Sequence, residues 1–238
     1  MSVIVADSAG FCFGVSRAVE MVEKAAGEGK QVATLGPIIH NRHVVQRFAD
    51  IGIQVIDTPE EAYEGMTVII RSHGVSRDVL EQLEKRNVRI IDATCPFVKR
   101  IHEIVSKAEQ EERLPVIIGT PSHPEVEGIA GWCSRCCIFE TPEQLEKWAV
   151  SGDIARDMPI SMVCQTTSTE NLWKKSCEIA KKQFTNLKIY DTICRATEFR
   201  QGEAAKLSSV CQAMVVVGDL HSSNTGRLAM ICREHCEK

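Results

Sequence analysis

The sequence predicts an α/β fold with mainly parallel sheets, assembled from three similar modules that aim at a common point. Three observations carry this. Short apolar runs alternate with amphipathic helical stretches and short connections along all 238 residues. The stretch Val88–Ile104, VRIIDATCPFVKRIHEI, reads as a strand, then Asp92, then Cys95, then a helix with Pro96 in its first turn. That unit recurs twice: Val3–Asp7 leads to Cys12, and Leu187–Asp191 leads to Cys194. The spacing is roughly 80 to 100 residues, the signature of a repeated architecture.

Taken in order, the strand at Val3–Asp7 precedes Cys12 and a helix with Val15, Ala18, Val19, Val22 and Ala26 on one face. Gln31–Gly36 reads as a strand ending in Pro37-Ile38-Ile39-His40-Asn41, and Val44, Val45 and Phe48 mark a short helix. Strands follow at Gln54–Ile56 and Met66–Ile70, the second running into Arg71-Ser72-His73-Gly74-Val75, with a helix over Ser76–Arg86. Val88–Asp92 closes this module, and Thr94 is expected to cap the helix after Pro96.

Leu114–Gly119 opens the next set, with Thr120–Gly128 read as a loop behind it. Cys136–Phe139 is a short strand, Thr141-Pro142-Glu143 starts a helix, and Pro159–Cys164 is a strand ending in Gln165-Thr166-Thr167. Thr169 caps the helix through Trp173 and Ile179. Past Cys194 come a helix through Ala204 and Leu207, a strand at Ala213–Val217, a loop over Gly218–Asn224 and a helix over Thr225–Cys232.

Parallel sheets hold ligands beyond the carboxyl ends of their strands. His40, His73, His123, Thr166 and Ser222-Ser223-Asn224 all stand just after apolar runs.

Composition bounds the function. The net charge of −4 makes no electrostatic case for nucleic acid. No apolar run approaches the roughly 20 residues that span a bilayer. Asp7 and the lack of a basic start argue against a secretory signal, so the cytoplasm is the expected compartment, or a plastid stroma after removal of a transit peptide. Eleven cysteines in such a chain read as reduced thiols, some binding metal, rather than as a disulfide framework.

Cys12, Cys95 and Cys194 each stand at a helix start, where unpaired N–H groups and the helix dipole favour a thiolate. Taken singly, each is more simply a small buried hydrophobe; three in matching contexts point to a shared metal centre with an open position. Cys133-Ser-Arg-Cys136-Cys137 is the rival, a C-x₂-C that would suit zinc but lacks a second ligand pair nearby. Cys164, Cys177, Cys211, Cys232 and Cys236 read as fillers.

His40, His73 and His123, with the Ser222-Ser223-Asn224 loop, suit an anion such as a phosphate or diphosphate; three histidines are also a possible zinc set. Glu125 shares a loop with His123 and is the candidate proton donor, whereas Glu127 is expected to face elsewhere. His43, His102, His221 and His235 carry no signal.

The motifs GFCFGV, GPIIHN, RSHGV, DATCP, HPEVEG, QTT, TICRAT and SSNT stand in that order along nearly the whole chain. Together they resemble the 4-hydroxy-3-methylbut-2-enyl diphosphate reductase family, whose reaction ends the non-mevalonate route to isoprenoids. The resemblance implies a trefoil of three α/β modules around one 4Fe–4S cluster, held by Cys12, Cys95 and Cys194. The module limits expected are 13–95, 96–190, and 1–12 with 191–238.

It further implies that His40, His73, His123, Ser222, Ser223 and Asn224 hold the diphosphate. Thr166 would hydrogen-bond near the leaving oxygen, and Glu125 would protonate it. The implied reaction is a two-electron reductive dehydroxylation giving isopentenyl and dimethylallyl diphosphate, with reduced ferredoxin or flavodoxin as electron source. The family continues past SSNT, so the third module is expected to be C-terminally shortened. The alternative is a cluster-containing diphosphate-binding protein impaired in catalysis by that missing segment.

Overall fold

The computed structural model describes residues 2–29 and 31–236. Among these described residues, eight strands form two sheets of four, and every pairing within them is parallel. The first sheet contains β1 (Val32–Leu35), β2 (Gln54–Ile56), β3 (Thr67–Ile70) and β4 (Arg89–Asp92) in the order β2-β1-β3-β4. The second contains β5 (Leu114–Ile118), β6 (Cys137–Phe139), β7 (Ile160–Cys164) and β8 (Leu187–Ile189) in the order β6-β5-β7-β8. Both sheets have the same topology.

The central strands are buried along their whole length, in β1 and β3 as in β5 and β7, whereas β2, β4, β6 and β8 are partly exposed. A parallel sheet covered by helices on both faces requires this, and it explains why the central strands are continuous apolar runs.

Helices α1 (Phe13–Ala26), α2 (Arg42–Asp50) and α3 (Arg77–Glu84) accompany the first sheet. Its two faces bury separate clusters: Ala18, Val22, Phe48 and Ile69 on one side, Leu35, Met66, Ile70 and Leu83 on the other. Helices α4 (Pro96–Gln110), α5 (Pro124–Ala130), α6 (Pro142–Ala149) and α7 (Glu170–Gln183) serve the second sheet in the same way. Among the described residues, no helix is long and apolar enough to cross a membrane.

Four expectations need correction. Residues 124–130 form a helix rather than a loop, with Pro124 in its first turn and Gly128 lying against the backbone of Gly74. Thr94 does not cap α4; Cys95 occupies that position, while Thr94 N donates to Asp92 Oδ1 at 2.9 Å. Residues 3–7 and 213–217 are not strands, and Val3, Val5, Val215 and Val217 are exposed. No neighbouring strand lies beside either run among the described residues, and a strand without a ladder partner is not stable in water.

The remaining part is helical: α8 (Arg195–Ser208) packs on α9 (Ser223–His235). The start of the chain is tied to α8, because Asp7 N and Ser8 N donate to the Glu203 carboxylate and Arg200 donates to the carbonyls of Ser8 and Gly10.

Candidate functional site

In each sheet the chain leaves the first central strand in one direction and the second in the other, which opens a crevice at their carboxyl ends. In the first sheet β1 leads to His40 and β3 leads to His73. In the second β5 leads to His123, and β7 leads to Thr166. The next strands lead to the cysteines, β4 to Cys95 and β8 to Cys194.

The three histidines meet. Ring centroids lie 4.5 Å apart for His40 and His73, 6.0 Å for His40 and His123, and 5.7 Å for His73 and His123. Burial is the largest cause in holding all three below the ordinary histidine pKa, His123 at about 4. The rings are therefore neutral near pH 7. His40 Nε2 and His73 Nδ1 are buried without a hydrogen-bond partner in the protein. Buried polar atoms of this kind are normally paired, and here two face one cluster.

Sequence reasoning missed Arg71. Its guanidinium lies close enough to depress all three histidines, and Glu127, which is exposed, acts electrostatically on it in turn. Gly36 at the end of β1 makes room: a Cβ there would come within 2.6 Å of Arg71 Nη1, and its φ of +68° also favours glycine. The signal available was an arginine at a strand end, two residues before a histidine.

Glu125 is 2% exposed. Thr166 N donates to Glu125 Oε1 at 2.6 Å, and Thr166 Oγ1 donates to Oε2 at 2.7 Å. Burial pushes the Glu125 pKa up and outweighs these two bonds, which pull it down. His123 caps α5 by accepting from Glu125 N at 3.1 Å through Nδ1. One short segment thus carries a histidine to the cluster and a carboxyl into the interior.

The segment from Asp219 into the start of α9, which carries Ser222, Ser223 and Asn224, is held by both sheeted parts. Arg42 N donates to Asp219 Oδ2 at 3.1 Å, and the Thr167 and Ser223 hydroxyls lie 2.9 Å apart. Ser222 caps α9 by accepting from Thr225 N, and Ser222, Ser223 and Asn224 are all half-buried. Among the described residues, no hydrogen bond joins Asn224 to the histidines.

Cys12, Cys95 and Cys194 occupy the cap positions of α1, α4 and α8, and none of the three forms a side-chain cap bond. Cys12 and Cys194 both act electrostatically on Cys95, so the three sulfurs share one region. Burial raises the Cys95 pKa despite the facing amides of Phe97 and Val98. Backbone bonds tie this region to the site loops: Cys95 N donates to Ser72 O at 2.9 Å, and Cys194 N donates to Thr166 O at 3.0 Å. Gly14 is required beside them, since a Cβ there would stand 2.6 Å from Cys95 Sγ.

Among the described residues, no three His, Cys, Asp or Glu side chains are arranged around a single metal ion. A polynuclear cluster makes a different demand, because each thiolate binds a different iron and the sulfurs need not converge on one point. Three half-buried cysteines at helix starts fit that demand.

The comparisons with known proteins agree with this geometry. A family model described as LytB protein matches residues 3–238. The chain is 40% identical over 235 residues to the 4-hydroxy-3-methylbut-2-enyl diphosphate reductase of Geobacter sp. (strain M21), covering 98% of this chain and 81% of that one. It is 40% identical over 249 residues to the reductase of the same name from Thermoanaerobacter sp. (strain X514), covering 100% and 82%.

A solved structure of (E)-4-hydroxy-3-methyl-but-2-enyl diphosphate reductase, described as the terminal enzyme of the non-mevalonate pathway, superposes with a TM-score of 0.75 at 38% identity, over 99% of this chain and 83% of that one. The structure of the E-1-hydroxy-2-methyl-but-2-enyl-4-diphosphate reductase from Plasmodium falciparum gives a TM-score of 0.87 at 28% identity, over 94% and 71%. With its strand-end histidines, buried carboxyl and three cap cysteines in place, this chain belongs to the LytB family.

Proposed function

We propose that this chain is a 4-hydroxy-3-methylbut-2-enyl diphosphate reductase, which removes the allylic hydroxyl of its substrate by two-electron reduction and yields isopentenyl and dimethylallyl diphosphate. The observation that carries the reading is the buried Glu125, bonded to Thr166 and positioned on the same segment as His123, one of three clustered neutral histidines. An anion site and a proton store are thereby built into one crevice. The working units are the modules 13–95, 96–190, and 1–12 with 191–238.

The diphosphate is held by His40, His73 and His123, with Ser222, Ser223 and Asn224 closing from the third module. Ring N–H groups and hydroxyls supply the donors. Arg71 adds a positive charge close to this cluster. Cys12, Cys95 and Cys194 would hold a 4Fe–4S cluster, which supplies electrons and a Lewis-acidic iron when bound. Reduced ferredoxin or flavodoxin is the proposed electron source.

Burial makes Glu125 hold its proton more tightly than a free glutamate does. Hydroxide is a poor leaving group, so an acid must protonate the departing oxygen. When Oε2 carries the proton, the Thr166 hydroxyl accepts it and turns its own hydrogen outward. The proton thus moves to the cavity without the carboxyl leaving the interior.

Anaerobic reconstitution followed by reduction with dithionite and a viologen mediator tests the reading. Consumption of the substrate with appearance of both five-carbon diphosphates is expected. Cluster assembly and substrate binding without turnover would return the chain to a diphosphate-binding role.

A further inference from the structure

The cysteines after α5 play no part in the site described above, and their surroundings are unusual. Cys133 and Cys136 are half-buried, with exposed Ser134 and Arg135 between them. Both side chains pack against the same core around Ile101 and Val126, each is the largest influence on the other's thiol, and Cys133 donates to Ala130 O at 3.5 Å. The turn is braced by Glu109, whose Oε1 accepts from Ser134 N at 2.5 Å. Among the described residues, no third His, Cys, Asp or Glu completes a metal site with them, so the zinc expectation finds no support.

The residue before Cys133 has a different task. Trp132 Nε1 donates to Val75 O at 2.9 Å, and the Trp132 ring stacks on His102 with centroids 4.9 Å apart. Arg77 lies over that ring at 5.5 Å and donates its backbone N–H to Gly131 O at 3.3 Å. Gly74 fits only because it is glycine: a Cβ would meet His102 Cε1 at 2.7 Å, and its φ is +74°. Trp132 and His102 therefore clamp the loop that carries Arg71 and His73.

We propose that Cys133 and Cys136 form a reversible redox site, a dithiol that a disulfide-type oxidant converts to an intramolecular disulfide, and that Trp132 links this site to the His73 loop. In the reaction, the Cys136 thiolate attacks one sulfur of a small-molecule disulfide such as oxidised glutathione and expels one glutathione thiolate. The Cys133 thiolate then attacks Cys136 Sγ and expels the second. Two electrons pass to the oxidant, and the two thiol protons go to the departing thiolates. The neighbouring Cys133 thiol holds Cys136 below the usual thiol pKa and so favours it as the attacking sulfur.

The link follows from where movement is possible. Closing the bond draws the two sulfurs together to about 2.05 Å. Cys137 is fixed in the β5–β6 ladder opposite Val116. The displacement therefore falls on the Trp132–Cys133 side, against the Val75 carbonyl and the His102 ring.

The test uses the full chain, kept anaerobic and treated with oxidised glutathione, then trapped with iodoacetamide and mapped by mass spectrometry. A Cys133–Cys136 bridge that dithiothreitol reverses is expected, with Cys137 alkylated. Tryptophan emission should shift on oxidation in the wild type and stay constant in Cys133→Ser and in Trp132→Phe. Alkylation of both thiols after oxidant, or a bridge to Cys137, overturns the redox site. A Cys133–Cys136 bridge with unchanged emission overturns the link. Neither readout involves turnover, so failure here is distinct from failure of the reductase reading.

Discussion

The two sheets share a strand order, but their corresponding positions carry different chemistry. At the ends of its central strands the first sheet places His40 and His73, with Arg71 beside them; the second places His123 with Glu125, and Thr166. The third position is the same in both, a cysteine at a helix start after β4 and after β8. The topology sets where the residues stand, while the residues divide the work. In the proposed reading the first sheet supplies charge and anion contacts, and the second adds the proton. In the same reading the shared position serves the metal.

The largest effect is expected where the sheets are alike. Cys95→Ser or Cys194→Ser should strip iron and sulfide from the reconstituted protein and abolish reduction, whereas Cys177→Ser should keep both. Equal metal content across these variants would remove the cluster assignment.

Next in size is the position where the sheets differ most. Glu125→Gln should retain its cluster and bind substrate, yet turn over at least about 10²-fold more slowly, while Glu127→Gln stays near wild type. The pH dependence carries a sign. Burial raises the Glu125 pKa, so the acid form persists to higher pH than in a free glutamate and is lost as pH rises through that raised value. Wild-type kcat should fall on the alkaline side, and the residual rate of Glu125→Gln should lack that limb.

The anion contacts come third. His40→Asn from one sheet and His123→Asn from the other should each raise KM about tenfold, the size of one hydrogen bond to a charged group, with cluster content intact. Loss of metal from either would make the histidines ligands instead. The smallest effect is expected from Arg71→Lys, which keeps the charge and loses the planar fork; a KM increase of a few-fold in steady-state kinetics would show that charge outweighs geometry there.

Much of this division was legible in the sequence, because a buried parallel strand is an apolar run and the polar residue after it marks the crevice. That rule marks His40, His73, His123, Thr166 and Ser222-Ser223-Asn224, and the structure brings the three histidines together. The same rule failed at residues 3–7 and 213–217, where the apolar pattern was present and pairing was not: a strand depends on neighbours distant in sequence. Helix α5 was misread because Gly128 suggests a loop, and only its contact with Gly74 gives that glycine a packing role. The depth of Glu125 and the position of Arg71 are products of tertiary packing, to which spacing is blind.

The cap formed by His123 has a further consequence. Because Nδ1 accepts the Glu125 amide hydrogen, the single proton of the neutral ring resides on Nε2. The tautomer is fixed by the backbone, and the ring can present an N–H but no lone pair on its other nitrogen. A phosphoryl oxygen finds a donor there, whereas a divalent cation finds none unless the ring loses that proton or gives up its hold on α5. The first turn of a seven-residue helix thereby biases this imidazole toward anions and against metals.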